Sequence, residues 1–111
     1  MRLGILGGTF NPIHLGHLIL AEAAREQADL DEVWFVPTAI PPHKSSRGIV
    51  GAAHRLAMVR AAIRGQRAFR AWEGELRRGG VSYTIDTVRD LKTHNPNAQL
   101  FLIVGSDMLT V

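Results

Sequence analysis

Short stretches in which every residue is apolar, rather than every second one, constrain this chain most. Leu3-Gly4-Ile5-Leu6, Val33-Trp34-Phe35-Val36 and Leu100-Phe101-Leu102-Ile103-Val104 show no two-residue alternation. Strands of that kind have both faces buried, which points to a parallel sheet covered on each side by helices. The segments between them supply those helices. His14 to Gln27 carries Leu15, Leu18, Ile19 and Ala23 at helical spacing, with Glu22, Arg25 and Glu26 between them. Ala52 to Arg64 places Leu56, Val59 and Ile63 in the same way and closes at Gly65. Thr84 to His94 carries Ile85, Val88 and Leu91, with Thr84 or Ser82 as cap and Asn95-Pro96 as stop. Ala68 to Trp72 reads as a third strand in chain order. Thr38 to Gly51 reads as a loop, and the polar stretch Glu73 to Gly80 as a loop or hairpin.

The expected order is therefore strand, helix, strand, helix, strand, helix, strand, in one α/β domain over residues 1–111. A chain of 111 residues suits a single domain. The absence of cysteine excludes a disulfide scaffold, a thiolate zinc site and a cysteine nucleophile. No apolar run approaches the roughly 20 residues of a membrane span, and the expectation is a soluble, cytoplasmic protein without membrane partners. The charge is uneven. Lys44 to Arg78 holds nine basic residues against Glu73 and Glu75, a net of +7, while Met1 to His43 has a net of −3. Such a block either attracts phosphate-bearing ligands or forms a solvated face. It lacks the interleaved aromatics of a single-strand platform, so no nucleic-acid partner is expected.

Chemistry concentrates in Gly7-Gly8-Thr9-Phe10-Asn11-Pro12-Ile13-His14-Leu15-Gly16-His17, between the first strand and the first helix. Gly7-Gly8 reads as a tight turn after the first strand, and two glycines allow close approach of a ligand to the backbone. A helix N-terminus offers free N–H groups to phosphate. His14 and His17, three positions apart, can lie on one helix face and donate to phosphate oxygens, and Gly16 between them leaves space for a nucleotide. The spacing matches neither the dinucleotide-binding glycine pattern nor the Walker A pattern. A zinc pair would need a third ligand, for which His43 is the nearby candidate.

These residues resemble the signature of the nucleotidyltransferase superfamily with a His-x-Gly-His motif. Further segments resemble the bacterial nicotinate-nucleotide adenylyltransferases within it: Val36-Pro37-Thr38 with Pro41-Pro42-His43-Lys44, Arg55-Leu56-Ala57-Met58, Gly80-Val81-Ser82-Tyr83-Thr84-Ile85-Asp86-Thr87, and Ile103-Val104-Gly105-Ser106-Asp107. The resemblance implies a Rossmann-like fold of the nucleotidyltransferase type, and transfer of adenylyl from ATP to nicotinate mononucleotide with release of pyrophosphate. It implies Mg²⁺ bridging the triphosphate. His14 and His17 would hold the ATP phosphates. Gly7, Gly8, Thr9, Phe10 and Gly16 would line the nucleotide seat, and Lys44, with His43, would meet phosphate. Ser82, Tyr83 and Thr84 would hold the nicotinate carboxylate at a helix start, which is also a simple cap. Gly105 and Asp107 would face a ribose, and Asp107 could equally cap a following helix. Arg55 fits either an ion pair or substrate contact. Another His-x-Gly-His adenylyltransferase and a non-catalytic nucleotide-binding module are the competing expectations. The family pattern continues past Asp107, so the expected sheet is incomplete at its C-terminal side, with an open edge and low stability.

Overall fold

The computed structural model describes residues 1–39, 51–79 and 84–104, and the backbone of 107–110. The elements are β1 (Arg2–Gly8), α1 (Leu15–Ala28), β2 (Glu32–Pro37), α2 (Ala52–Ala62), β3 (Phe69–Ala71), α3 (Gly74–Arg78), α4 (Thr84–His94), β4 (Gln99–Val104) and β5 (Asp107–Thr110). They build one sheet in the order β3-β2-β1-β4-β5. β1 pairs in parallel with β2 on one side and with β4 on the other, and β3 extends the β2 side in parallel. The chain thus leaves β1 in one direction for two strands and returns to its other edge for β4. That reversal opens a crevice at the carboxyl ends of β1 and β4, where ligands bind in sheets of this kind.

Both faces are covered, as the unbroken apolar strands require. Alternate residues of each strand fall into two cores. One holds Leu6, Val33, Phe35, Phe101 and Ile103 with Ala21 and Ala24 of α1 and Val59 of α2. The other holds Leu3, Ile5, Val36 and Leu100 with Leu91 of α4. Gly4 sits where α1's connection to β2 crosses the sheet: a Cβ there would lie 2.6 Å from the Leu30 Cδ1.

Three expectations are corrected. The diglycine is not a turn, because Gly7 and Gly8 continue β1 and pair with Val36 and Pro37. Glu73 to Gly80 is not a loop or hairpin throughout, since Gly74–Arg78 forms the short helix α3. Its first residue is a poor helix former for a packing reason: a Cβ at Gly74 would overlap the Trp72 indole at 2.2 Å. What holds so short a helix is tertiary. The Thr87 hydroxyl of α4 donates to Glu75, and Arg78 donates to Asp90 at 2.7 Å. Asp107 does not begin a helix either. It opens β5, antiparallel to β4 with Val104 opposite Asp107, so β4 is not the open edge. No helix among the described residues is long and apolar enough to cross a membrane.

Phe35 is the centre of the first core, fully buried, with the Phe10 ring 5.9 Å and the Phe69 ring 5.2 Å from its own. Phe35→Ala is expected to remove about 3–5 kcal/mol of stability, read as a lower midpoint in urea unfolding followed by circular dichroism.

Candidate functional site

A cavity of about 440 Å³ opens at the β1–β4 crevice. Its wall is the C-terminal end of β1 (Leu6, Gly7, Gly8), then Thr9, and the end of β4 (Leu102, Ile103, Val104). His17 and Leu20 of α1, Thr38 after β2, Glu75 of α3 and Thr84 at the start of α4 complete it. Gly7 shows why a side chain is missing. A Cβ there would come no closer than 3.9 Å to any other group, so packing does not demand glycine, and the space is left to the cavity.

The loop from Thr9 to His14 turns the chain from strand to helix. It carries a cis Asn11–Pro12 bond, and Phe10 has φ 49°, a left-handed conformation that a bulky side chain adopts only when its surroundings hold it. Here the hold is burial: Phe10 is 2% exposed and its ring packs edge-on against His17, with centroids 4.9 Å apart. Phe10 therefore stands behind the site and does not line the cavity.

His14 is the N-cap of α1, not part of its first turn. Its Nδ1 accepts from the Gly16 N–H at 3.1 Å, and its own N–H donates to the His17 Nδ1 at 3.0 Å. The His17 N–H in turn donates to the His14 carbonyl at 3.0 Å. This is a reciprocal cap built from two imidazoles. The expectation of free N–H groups at this helix start is thus corrected: those of Gly16 and His17 are already used. The cap has a chemical result. In each neutral ring a nitrogen that accepts leaves the proton on the other one, so the network assigns both rings the Nε2–H form. The two rings stack with centroids 3.9 Å apart, and His17 lines the cavity. Gly16 has a different role from the expected nucleotide space. A Cβ there would sit 2.9 Å from the His14 ring, so the glycine makes room for the imidazole.

Arg55 is 1% exposed. It reaches from α2 and donates to the carbonyls of Thr9 (2.8 Å), Thr38 (2.7 Å) and Ala39 (3.4 Å). One guanidinium thus ties the loop after β1 to the loop after β2, a task its planar fork suits. Desolvation lowers its pKa. Glu75, 4% exposed, lines the cavity and was hidden in a stretch that reads as a polar loop. Thr84, at the start of α4, lines the cavity. His43, Lys44, Ser82, Tyr83 and Gly105 lie outside the described residues, as does the side chain of Asp107. His54 and His94 are exposed, Asp86 is a first-turn acid of α4, and Trp34 and Trp72 pack in the second core.

Burial, and next the neighbouring His14 imidazole, push the His17 pKa below 6.5. The sign follows. As pH falls, the unfolded chain takes up this proton before the folded one, and protonation at Nδ1 also ends its bond to the His14 N–H. The stability contributed by neutral His17 is therefore present above about pH 6.5 and is lost as pH falls through its folded value. A ring-proton NMR titration is expected to place the His17 midpoint below 6.5, and His17→Ala is expected to flatten the fall in stability over that range. Arg55→Met is expected to cost about 3 kcal/mol or more, since charge-assisted bonds to buried carbonyls are lost. Arg55→Lys would recover part of that loss in the same thermal melts.

Comparison with known proteins places this geometry. A cytidylyltransferase-like family model matches residues 5–111. The chain is 53% identical over 109 residues to the probable nicotinate-nucleotide adenylyltransferase of Halalkalibacterium halodurans, covering 97% of this chain and 53% of that protein. It is 47% identical over 108 residues to the nicotinate-nucleotide adenylyltransferase of Bacillus subtilis, covering 97% and 57%. The chain thus spans about half the length of these curated relatives. Among solved structures, the nicotinic acid mononucleotide adenylyltransferase of Plasmodium falciparum, complexed with NaAD, shares the fold with a TM-score of 0.71. That match has 21% identity and covers 91% of this chain and 50% of the other. With the family model spanning almost every residue from β1 through β5, the chain belongs to the cytidylyltransferase-like family.

Proposed function

We propose that the chain carries the nucleotide seat of a nicotinate-nucleotide adenylyltransferase, which joins the adenylyl group of ATP to nicotinate mononucleotide. The observation that carries this reading is the capped histidine pair, of which His17 lines the cavity: both Nδ1 atoms are engaged by backbone N–H groups, which leaves Nε2–H donors for phosphate. Similarity to the nicotinate-nucleotide adenylyltransferases of Halalkalibacterium halodurans and Bacillus subtilis supports the choice of acceptor.

The chemistry asks little acid–base work of the protein. A phosphate oxygen of nicotinate mononucleotide, already ionised near neutral pH, attacks the α-phosphorus of ATP. A new P–O bond forms as the bond to the β-phosphate oxygen breaks, and pyrophosphate leaves with the electron pair. The products are deamido-NAD and pyrophosphate. Such a reaction needs alignment and stabilisation of growing charge on the leaving oxygens. Neutral His17 and His14 provide donors that need no prior proton loss. Gly7, Gly8 and Thr9 let the triphosphate approach the end of β1. ATP enters as its magnesium complex, with the ion held by phosphate and water oxygens as part of the substrate. By the resemblance, Lys44 and His43 add charge at the phosphates. Ser82, Tyr83 and Thr84 receive the nicotinate carboxylate at the start of α4, and Gly105 and Asp107 face a ribose. Substrates of this kind place the work in the cytoplasm, with no nucleic acid and no membrane as partner.

The test is pyrophosphate release with ATP and nicotinate mononucleotide, alongside calorimetry of ATP binding. Turnover is expected with nicotinate mononucleotide in preference to nicotinamide mononucleotide or phosphopantetheine. His17→Ala is expected to lower the rate about 10²- to 10³-fold, the cost of one preorganised donor to a developing oxyanion. ATP binding without pyrophosphate release would leave a nucleotide-binding module alone, and absence of ATP binding would overturn the reading.

A further inference from the structure

Two polar atoms in the cavity wall lack a hydrogen-bond partner among the described residues although both are buried: the Glu75 Oε1 and the Thr38 Oγ1. They come from different elements, α3 and the segment after β2, and both residues line the same cavity. The Glu75 carboxylate is half used. One oxygen accepts the Thr87 hydroxyl, which fixes the side chain against α4, and the other has no donor among the described residues. Leaving a buried acceptor unmade costs free energy, more for a charged group than for a neutral one. Native proteins keep few such atoms, and those they keep ask for an explanation. Nothing among the described residues supplies one. The α3–α4 brace already has Thr87 on the first oxygen and the Arg78–Asp90 pair beside it. A glutamine or leucine could fill the same volume.

The missing partner has a definite chemistry. An ionised carboxylate only accepts, so its partner must donate. Phosphates near neutral pH and a nicotinate carboxylate bring no proton to give, whereas a ribose brings two hydroxyls; the adenine amino group of ATP is the other donor, and loss of binding on removal of a hydroxyl separates the two. We infer that Glu75 is a ribose-contacting residue: its free oxygen accepts a hydroxyl of a bound ribonucleotide, with the Thr38 hydroxyl as the second polar contact in the same wall. Oε1 is closed to water, so solvent does not satisfy it, and contact with the sugar requires the carboxylate to turn out from the wall as the ligand seats. Thr84 shares the cavity wall with Glu75, which favours the ribose of the acceptor mononucleotide over that of ATP. A ribose has room for two acceptors, and Glu75 is additional to the contact assigned by resemblance to Asp107. The inference rests on the nucleotide reading given above.

The test compares hydroxyl deletion in the ligand with carboxylate deletion in the protein. Calorimetry measures binding of ATP, nicotinate mononucleotide and the 2′- and 3′-deoxy form of each to the unmodified chain, Glu75→Gln, Glu75→Ala and Thr87→Val. In the unmodified chain, one deoxy form of nicotinate mononucleotide is expected to bind about tenfold or more weakly, the worth of a charge-assisted hydrogen bond. That penalty should shrink to within about twofold in Glu75→Ala and be intermediate in Glu75→Gln. Thr87→Val, which loosens the brace but keeps the carboxylate, should retain the discrimination even if it melts earlier. A penalty confined to the deoxy forms of ATP and lost in Glu75→Ala would move the contact to the other ribose and still assign it to Glu75. Equal penalties in the unmodified chain and both Glu75 variants, or no penalty in the unmodified chain, would overturn the inference while leaving the nucleotide reading intact. Failure of the unmodified chain to bind either nucleotide would overturn both.

Discussion

The double pairing of β1 is the constraint from which the site follows. Its backbone is committed on both edges, to β2 over six register positions and to β4 over four. A strand held on two sides cannot shift register without exposing a whole face of side chains. The carboxyl end of β1 is consequently a fixed platform, and the reversal of chain direction leaves it uncovered between β1 and β4. Everything with chemistry in it is hung from that platform. Arg55 ties the two loops that leave β1 and β2, and the cap of α1 joins the two imidazoles at the helix start, with His17 on the cavity wall.

The site is linked to the core by aromatic contact. From the helix start inward the rings run His14, His17, Phe10, Phe35 and Phe69, each within 5.9 Å of the next. An imidazole at the rim is therefore braced by side chains that belong to the sheet. This is how a loop with a left-handed Phe10 can present a donor in one orientation: the interior, at close-packed density, leaves the Phe10 ring no second place.

Much of this was legible in the sequence, for physical reasons. Unbroken apolar runs can be satisfied only by burial on two faces, so β1, β2 and β4 and the layered arrangement followed from residues such as Ile5, Phe35 and Leu102. The diglycine–double-histidine stretch announced itself because His and Gly alternate where a core would want neither. What was not legible depended on partners distant in sequence. α3 is held by Thr87 and Asp90, so its own residues read as loop. Glu75 looked like one more surface acid, and only the fold shows it enclosed. The role of Arg55 required knowing that Thr9 and Thr38 end adjacent strands. β5 was missed because Gly-Ser-Asp suits both a helix start and a hairpin, and pairing with β4 decided between them. The reciprocal cap could have been suspected, since positions N-cap and N3 are where capping boxes form, although histidine is not their usual occupant.

Gly16 has a consequence that reaches beyond its own position. Its missing side chain is effectively on loan to the His14 ring, which occupies the place a Cβ would take. Any residue with a side chain at position 16 would push that ring off the helix end, release the Gly16 N–H and strip His17 of its stacking partner, with both histidines still present in the sequence. The unit under constraint is therefore the spacing His-x-Gly-His as a single object. The two imidazoles are a property of the glycine between them, and a census of functional groups that counts only side chains would overlook the residue that makes them work together.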